Sequence, residues 1–181
     1  MDAVLILTGA PGTGKSSVLD SLATLLEVEG VEYGAIESEQ LAWGSPLLPA
    51  LQWAAQLEAV LAFQRHAGRS RFLVAATVET ADELRLVANA TRGERLLVVC
   101  LTAQPELVAA RIAEREPDTW PGKAALIARA RGLAEMIPTF DGVDLVVETD
   151  VRSAEETAAR VYEEMQVRGL AASTREGSSS D

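Results

Sequence analysis

Residues 9–16, Gly-Ala-Pro-Gly-Thr-Gly-Lys-Ser, fit the pattern G-x-x-x-x-G-K-[ST] and follow directly on the apolar run of residues 4–7. Such a stretch is a phosphate cradle. Glycines at 9, 12 and 14 let the backbone turn tightly and point its N–H groups inward. A helix starting near Lys15 directs its positive dipole end at the same spot. Lys15 is then placed to reach the β- and γ-phosphates of a nucleotide, and the Ser16 hydroxyl to ligand Mg²⁺. The flanking sequence argues against a glycine-rich turn that binds nothing. A strand-like run precedes the motif, and residues 17–29 follow with Val18, Leu22, Leu25 and Leu26 on one helical face.

The remaining chain alternates strand and helix signals. Strands are expected over residues 31–37, 72–78, 95–101 and 143–148. Ser45-Pro46 reads as a helix start, with Ser as cap and Pro at the first helical position, opening a helix that runs to about His66. Thr80-Ala81-Asp82-Glu83 and Ser153-Ala154-Glu155-Glu156 are capping boxes that open two further helices. Pro105 starts another, which carries Arg111 and Arg115 on one face. Two prolines and a glycine in residues 116–122 interrupt it, as a short mobile flap would, before a helix over about 123–136. Strict alternation of this kind implies an α/β fold, a parallel sheet with helices on both faces.

At 181 residues with 48% hydrophobic content, the chain is expected to form one soluble domain over residues 1–169, with a short lid around 115–123. Residues 170–181, rich in Ser, Gly and charge, are expected to be a disordered tail. Sixteen Lys and Arg against 27 Asp and Glu give a net charge of −11, which opposes binding to nucleic acid or an anionic membrane. No 18-residue apolar span occurs and Asp2 follows Met1, so a cytoplasmic location is expected. The single cysteine, Cys100, lies in a strand-like run and reads as a buried small hydrophobe.

Several side chains are candidates for more than structure. Glu37 and Glu39 follow the second expected strand, whose carboxyl end should border a ligand crevice. They either divide the work of orienting Mg²⁺ through water and accepting a proton from an attacking hydroxyl, or are exposed loop glutamates. Trp43 and Trp53 are either core or the wall of an acceptor pocket. His66, the only histidine, sits in the basic run of residues 65–71 at a helix end, where cations suit the dipole.

With these features in place, residues 3–167 resemble the P-loop kinases of the nucleoside and nucleotide type, a group that includes adenylate, shikimate and gluconate kinases, chloramphenicol phosphotransferase and polynucleotide kinase. The resemblance implies a three-layer α/β/α fold with a five-stranded parallel sheet in the order 2-3-1-4-5. It also implies ATP and Mg²⁺ as cofactors. Residues 105–115 resemble the helix entering the family's lid, which places Arg111 near the adenine and Arg115 at the transferred phosphates. Glu37-Ser38-Glu39 stands where the family has Asp-x-Asp. Residues 150–153, with Arg152, resemble the loop at the adenine edge. The nucleotide-binding set implied is Gly9, Ala10, Pro11, Gly12, Thr13, Gly14, Lys15, Ser16, Ser17, Arg111 and Arg152. The catalytic set is Lys15, Glu37, Glu39 and Arg115, with Ser16 as metal ligand. Two departures stand out. Glutamate replaces aspartate at both 37 and 39, and Ala75 occupies a position where some relatives have aspartate, which leaves Glu37, Glu39 or Glu79 to support the magnesium.

The function expected on these grounds is an ATP- and Mg²⁺-dependent phosphotransferase acting on a small molecule, as a monomer or homodimer. A nucleotide or polynucleotide kinase, with Arg65, Arg69 and Arg71 gripping an acceptor phosphate, is a second reading. A regulatory ATP-binding protein or ATPase without an acceptor is a third.

Overall fold

The computed structural model describes residues 2–171. Five strands, β1 (Ala3–Thr8), β2 (Gly34–Glu37), β3 (Arg71–Ala75), β4 (Arg95–Thr102) and β5 (Leu145–Glu148), form one sheet in the order 2-3-1-4-5. All neighbouring strands pair in parallel. Around them run α1 (Lys15–Val28), α2 (Ser38–Ala42), α3 (Ala50–His66), α4 (Ala81–Thr91), α5 (Pro105–Arg115), α6 (Lys123–Met136) and α7 (Ala154–Val167).

The central strands are apolar on both faces because both faces are covered. Leu5, Leu7, Leu73, Leu97 and Val99 point to one side, where they pack with Val18, Leu22 and Leu26 of α1 and Ala158, Val161 and Met165 of α7. Val4, Ile6, Phe72, Val74 and Val98 alternate to the other, against Trp53, Leu57 and Leu61 of α3, Leu84 and Val87 of α4, and Val108 and Ile112 of α5. Each such leucine or valine, fully removed from water, contributes about 1.5–3 kcal/mol. Leu170 and Ala171, which the sequence places in the tail, are buried in the first of these clusters, so the packed chain runs two residues past Gly169. Residues 172–181 lie outside the described residues.

Several boundaries differ from the sequence reading. Ser45-Pro46 starts no helix. Pro49 at the N-cap disfavours helical backbone at Leu48, so α3 begins at Ala50 and residues 43–49 form an irregular, largely exposed stretch. The strand expected over 31–37 is paired only from Gly34, and β3 ends at Ala75 rather than 78. Glu37 ends β2 as expected, and Ser38 and Glu39 open the short helix α2 rather than an exposed loop. Ser153 forms a complete capping box with Glu156. At Thr80 only half the box forms. The Thr80 hydroxyl accepts the Glu83 N–H at 3.1 Å, while the Glu83 carboxylate accepts from the Glu79 N–H at 2.7 Å.

Candidate active site

The glycine-rich loop leaves the carboxyl end of β1, the middle strand of the sheet, where open α/β sheets collect their ligands. Two of its glycines are required by close approach. A Cβ at Gly9, where φ is +144°, would collide with the Leu101 carbonyl oxygen of β4, and one at Gly12, where φ is +88°, would lie 2.9 Å from the Val108 carbonyl oxygen of α5. The loop is thus threaded between β4 and α5. Thr13 closes its turn, with the hydroxyl donating to the Ala10 carbonyl at 2.9 Å.

From Gly14 at its N-cap, α1 presents Lys15 inward and Ser16 and Ser17 outward. The Lys15 ammonium donates to the carbonyls of Gly9 at 3.0 Å and Ala10 at 3.3 Å, folded over the loop it belongs to. Burial pulls its pKa below the ordinary value, against the opposing pull first of Glu39 and then of Glu37.

A cleft of about 230 Å³ opens over this loop, lined by Gly12, Gly14, Lys15, Ser16, Glu39 and Arg115, with Thr77 from the end of β3. The short helix α2 separates the two candidate carboxylates. Glu37 ends β2 as the N-cap residue of α2, while Glu39, two residues on in the first turn of that helix, borders the cleft. Glu39 Oε1 accepts the Thr77 N–H at 2.8 Å and stands 4.0 Å from Lys15 Nζ. Arg115 borders the cleft with its guanidinium paired to Glu116 at 2.8 Å. Arg111, one turn earlier, ties the loop to the far side of the sheet. It donates to the Gly12 carbonyl at 3.2 Å and to the Thr149 carbonyl at 3.0 Å. Arg152 turns away, donating to the Glu148 carbonyl at 2.9 Å, and makes no hydrogen bond to the loop.

Beside this cleft lies a second cavity of about 270 Å³. Ala42, Leu47, Leu48, Ala50 and Trp53 supply its apolar lining, and Glu79, Glu83 and Arg129 its charged lining with Glu39, with Arg129 in an ion pair to Glu79. Glu39 and Thr77 border both spaces. The Trp53 indole N–H is committed to the Ser38 carbonyl at 2.7 Å, so the ring is at once core and pocket wall. Trp43, by contrast, is 83% exposed and belongs to neither.

The geometry therefore assembles Lys15, Ser16, Glu39 and Arg115, and leaves Glu37 and Arg152 beside that assembly rather than in it. Thr77, Glu83 and Arg129 escaped the sequence reading, since only the fold brings them to Glu39. Ala75 is fully buried, and its carbonyl accepts the Ser38 hydroxyl at 2.7 Å. Glu79, a candidate to support magnesium, is taken up by Arg129. The basic run of residues 65–71 sits at the other end of the sheet. Arg65 pairs with Asp2 and Arg71 reaches the Leu170 carbonyl at 3.2 Å, so these residues cannot grip an acceptor phosphate at the cleft. Cys100 is fully buried on β4, and burial pushes its thiol up to about 12.

No family model and no curated protein matches the sequence. Solved structures do match the fold. A sugar kinase from Janibacter superposes with a TM-score of 0.69 at 14% identity, covering 95% of this chain and 99% of that one. An APS kinase from Mycobacterium tuberculosis, in complex with AMPPNP and APS, gives 0.63 at 20% identity over 91% and 98%. A shikimate kinase from Acinetobacter baumannii, in complex with shikimate, gives 0.59 at 17% identity over 94% and 96%. The chain has the P-loop kinase fold. Within this P-loop kinase fold the cleft offers hard oxygen donors, the Ser16 hydroxyl and the Glu39 carboxylate, of the kind Mg²⁺ takes while keeping most of its other positions for phosphate and water. Among the described residues no three His, Cys, Asp or Glu side chains converge as a dedicated metal cage. No described helix is long and apolar enough to cross a membrane.

Proposed function

We propose that the chain is an ATP- and Mg²⁺-dependent phosphotransferase that phosphorylates a hydroxyl group of a small molecule. The observation that best supports this is the shared wall, with Glu39 and Thr77 bordering both the cleft over the phosphate loop and the apolar-sided cavity. A donor in the first space and an acceptor in the second would meet at Glu39. Phosphoryl transfer asks a protein mainly for positioning and for charge set against the transferred oxygens, and the residues gathered here are of that kind.

In this reading residues 9–17 and Lys15 hold the nucleotide phosphates, and Arg111 and Arg152 flank the base. Ser16 would ligand Mg²⁺, with Glu37, beside the cleft at the head of α2, as the residue that would help hold its water shell; when bound, that ion would neutralise charge on the phosphate oxygens. Glu39 takes the proton of the attacking hydroxyl. Arg115 exchanges Glu116 for the transferred phosphate as the lid of residues 115–123 closes. A small acceptor and a cytoplasmic location go with this reading. The position of Arg65, Arg69 and Arg71 removes the feature that favoured a phosphate-bearing acceptor.

The test is ADP release from Mg-ATP with a panel of small hydroxyl compounds, nucleosides and nucleoside monophosphates, with Lys15→Ala as blank. Turnover stimulated by one class and lost in the blank is the expected result. Slow hydrolysis indifferent to every acceptor would instead mark a regulatory nucleotide-binding protein.

A further inference from the structure

The cavity beside the phosphate cleft has its own chemistry, and this bears on what it can admit. Its lining carries three carboxylates, Glu39, Glu79 and Glu83, against a single guanidinium, Arg129. Arg129 is already engaged by Glu79. Glu83 is held by one backbone N–H, that of Glu79 at 2.7 Å, and Glu39 by one, that of Thr77 at 2.8 Å, so neither has a cationic side chain of the cavity as partner. The rest of the lining is largely apolar. Leu47 and Leu48 stand there with Trp53, whose only polar atom is spent on the Ser38 carbonyl.

We infer that the acceptor is an amine-bearing alcohol, with an apolar body against Leu47, Leu48 and Trp53 and an ammonium group facing Glu83. The inference rests on the phosphotransferase reading above. A carboxylate or phosphate on the acceptor would be desolvated among like charges, which costs affinity, while an ammonium group meets opposite charge. The volume of about 270 Å³ suits a compact metabolite rather than a nucleotide or a polymer. In the transfer itself the acceptor hydroxyl oxygen bonds to the γ-phosphorus, the bond from that phosphorus to the bridging oxygen breaks, ADP leaves, and the hydroxyl proton passes to Glu39.

Two matched sets of compounds test this with the full chain. One is phenylalaninol, 3-phenylpropane-1,2-diol and phenyllactate; the other is leucinol, the corresponding diol and the corresponding hydroxy acid. Binding is read from the fluorescence of the tryptophans and by calorimetry, and phosphoryl transfer separately from Mg-ATP. The amine of at least one set should bind about tenfold or more tighter than its hydroxy acid, with the neutral diol between them. Glu83→Gln should weaken the amine severalfold and leave the diol unchanged, a selectivity that mere loss of folding would not produce. Equal binding within both sets, tighter binding of the acids, or no binding of any compound up to millimolar concentration would each overturn the inference. An acid preference lost in Arg129→Ala would identify Arg129 as an anion grip instead. Amine preference without transfer would leave the pocket assignment standing and sink the phosphotransferase reading, and transfer to an anionic acceptor would do the reverse.

Discussion

Glu39 Oε1 stands 4.0 Å from the Lys15 ammonium while accepting the Thr77 N–H at 2.8 Å. One carboxylate thus faces the cation of the phosphate loop and is oriented by the end of β3. Three strands meet at this point, since Lys15 follows β1, Glu39 follows β2 and Thr77 follows β3. Its hydrogen bond comes from the backbone, which is the kind of positioning a proton acceptor needs.

Replacing Glu39 by Gln keeps the shape and the acceptor oxygen for Thr77 but removes the charge and the basicity. We expect kcat to fall by about 10²- to 10⁴-fold, the usual contribution of a general base. Nucleotide affinity should hold or rise, because a negative charge beside the incoming phosphates is gone. Steady-state rates and a titration with a non-hydrolysable ATP analogue read the two separately; an unaltered kcat would remove Glu39 from the chemistry.

Lys15 makes nucleotide binding pH-dependent in a defined direction. Its pKa lies below the ordinary 10.5 because burial disfavours the ammonium form. Bound phosphates favour that form and raise the pKa again. Affinity should therefore be flat well below the free protein's lowered value, fall as pH rises through it, and level off above the value in the complex. Up to one proton is taken up per nucleotide between those two values, which calorimetry in buffers of different ionisation enthalpy detects. The same shift acts on folding. The unfolded chain binds more protons than the folded one between the lowered value and 10.5, so the cost of burying charged Lys15 is fully present below the lowered value and relieved as pH climbs through that window.

Gly9→Ala should fail on two counts at once. Its Cβ meets the Leu101 carbonyl oxygen, backbone that cannot swing aside, and φ at this position is +144°. A loss of about 1–3 kcal/mol in stability is expected, with loss of nucleotide binding as the loop is displaced. Thermal denaturation with and without nucleotide measures both. A variant of unchanged Tm that still binds would contradict the threading of the loop between β4 and α5.

The two arginines of α5 should separate in their effects. Arg111 is half-buried and bonded to Gly12 and Thr149, so Arg111→Ala should cost about 1–3 kcal/mol of stability and weaken nucleotide binding. Arg115 is exposed, and its pair with Glu116 contributes at most about 1 kcal/mol. Arg115→Ala should leave Tm and nucleotide affinity nearly unchanged while kcat falls. Equal kinetic behaviour of the two variants would undo the assignment of Arg115 to the transferred phosphate.

What could be read from the sequence was what is local in the chain. The strand, glycine-rich turn and helix of residues 4–28 are contiguous, so spacing alone places Lys15 and Ser16, and the apolar runs of β1, β3 and β4 announce a sheet covered on both faces. Ser153 and Glu156 meet within one helical turn and form the expected box. The acidic residues could not be sorted that way. Whether Glu37 or Glu39 enters the cleft depends on α2, a turn of helix set by packing against β3 and α3, with Ser38 bonded to Ala75 and Trp53 to Ser38. Arg129 reaches Glu79 from α6, a contact across fifty residues that no spacing rule encodes. Ser45-Pro46 misled because Pro49, three residues on, overrode it. The basic run at 65–71 looked like a phosphate grip only until the sheet put it at the opposite end.

The most direct measurement is transfer of the labelled γ-phosphate of Mg-ATP to a small hydroxyl compound, followed on the compound itself, with Lys15→Ala and Glu39→Gln alongside the wild-type chain. The account predicts label on the acceptor for the wild type, none for Lys15→Ala, and a trace for Glu39→Gln. Label released only as inorganic phosphate, at a rate no acceptor changes, would contradict it.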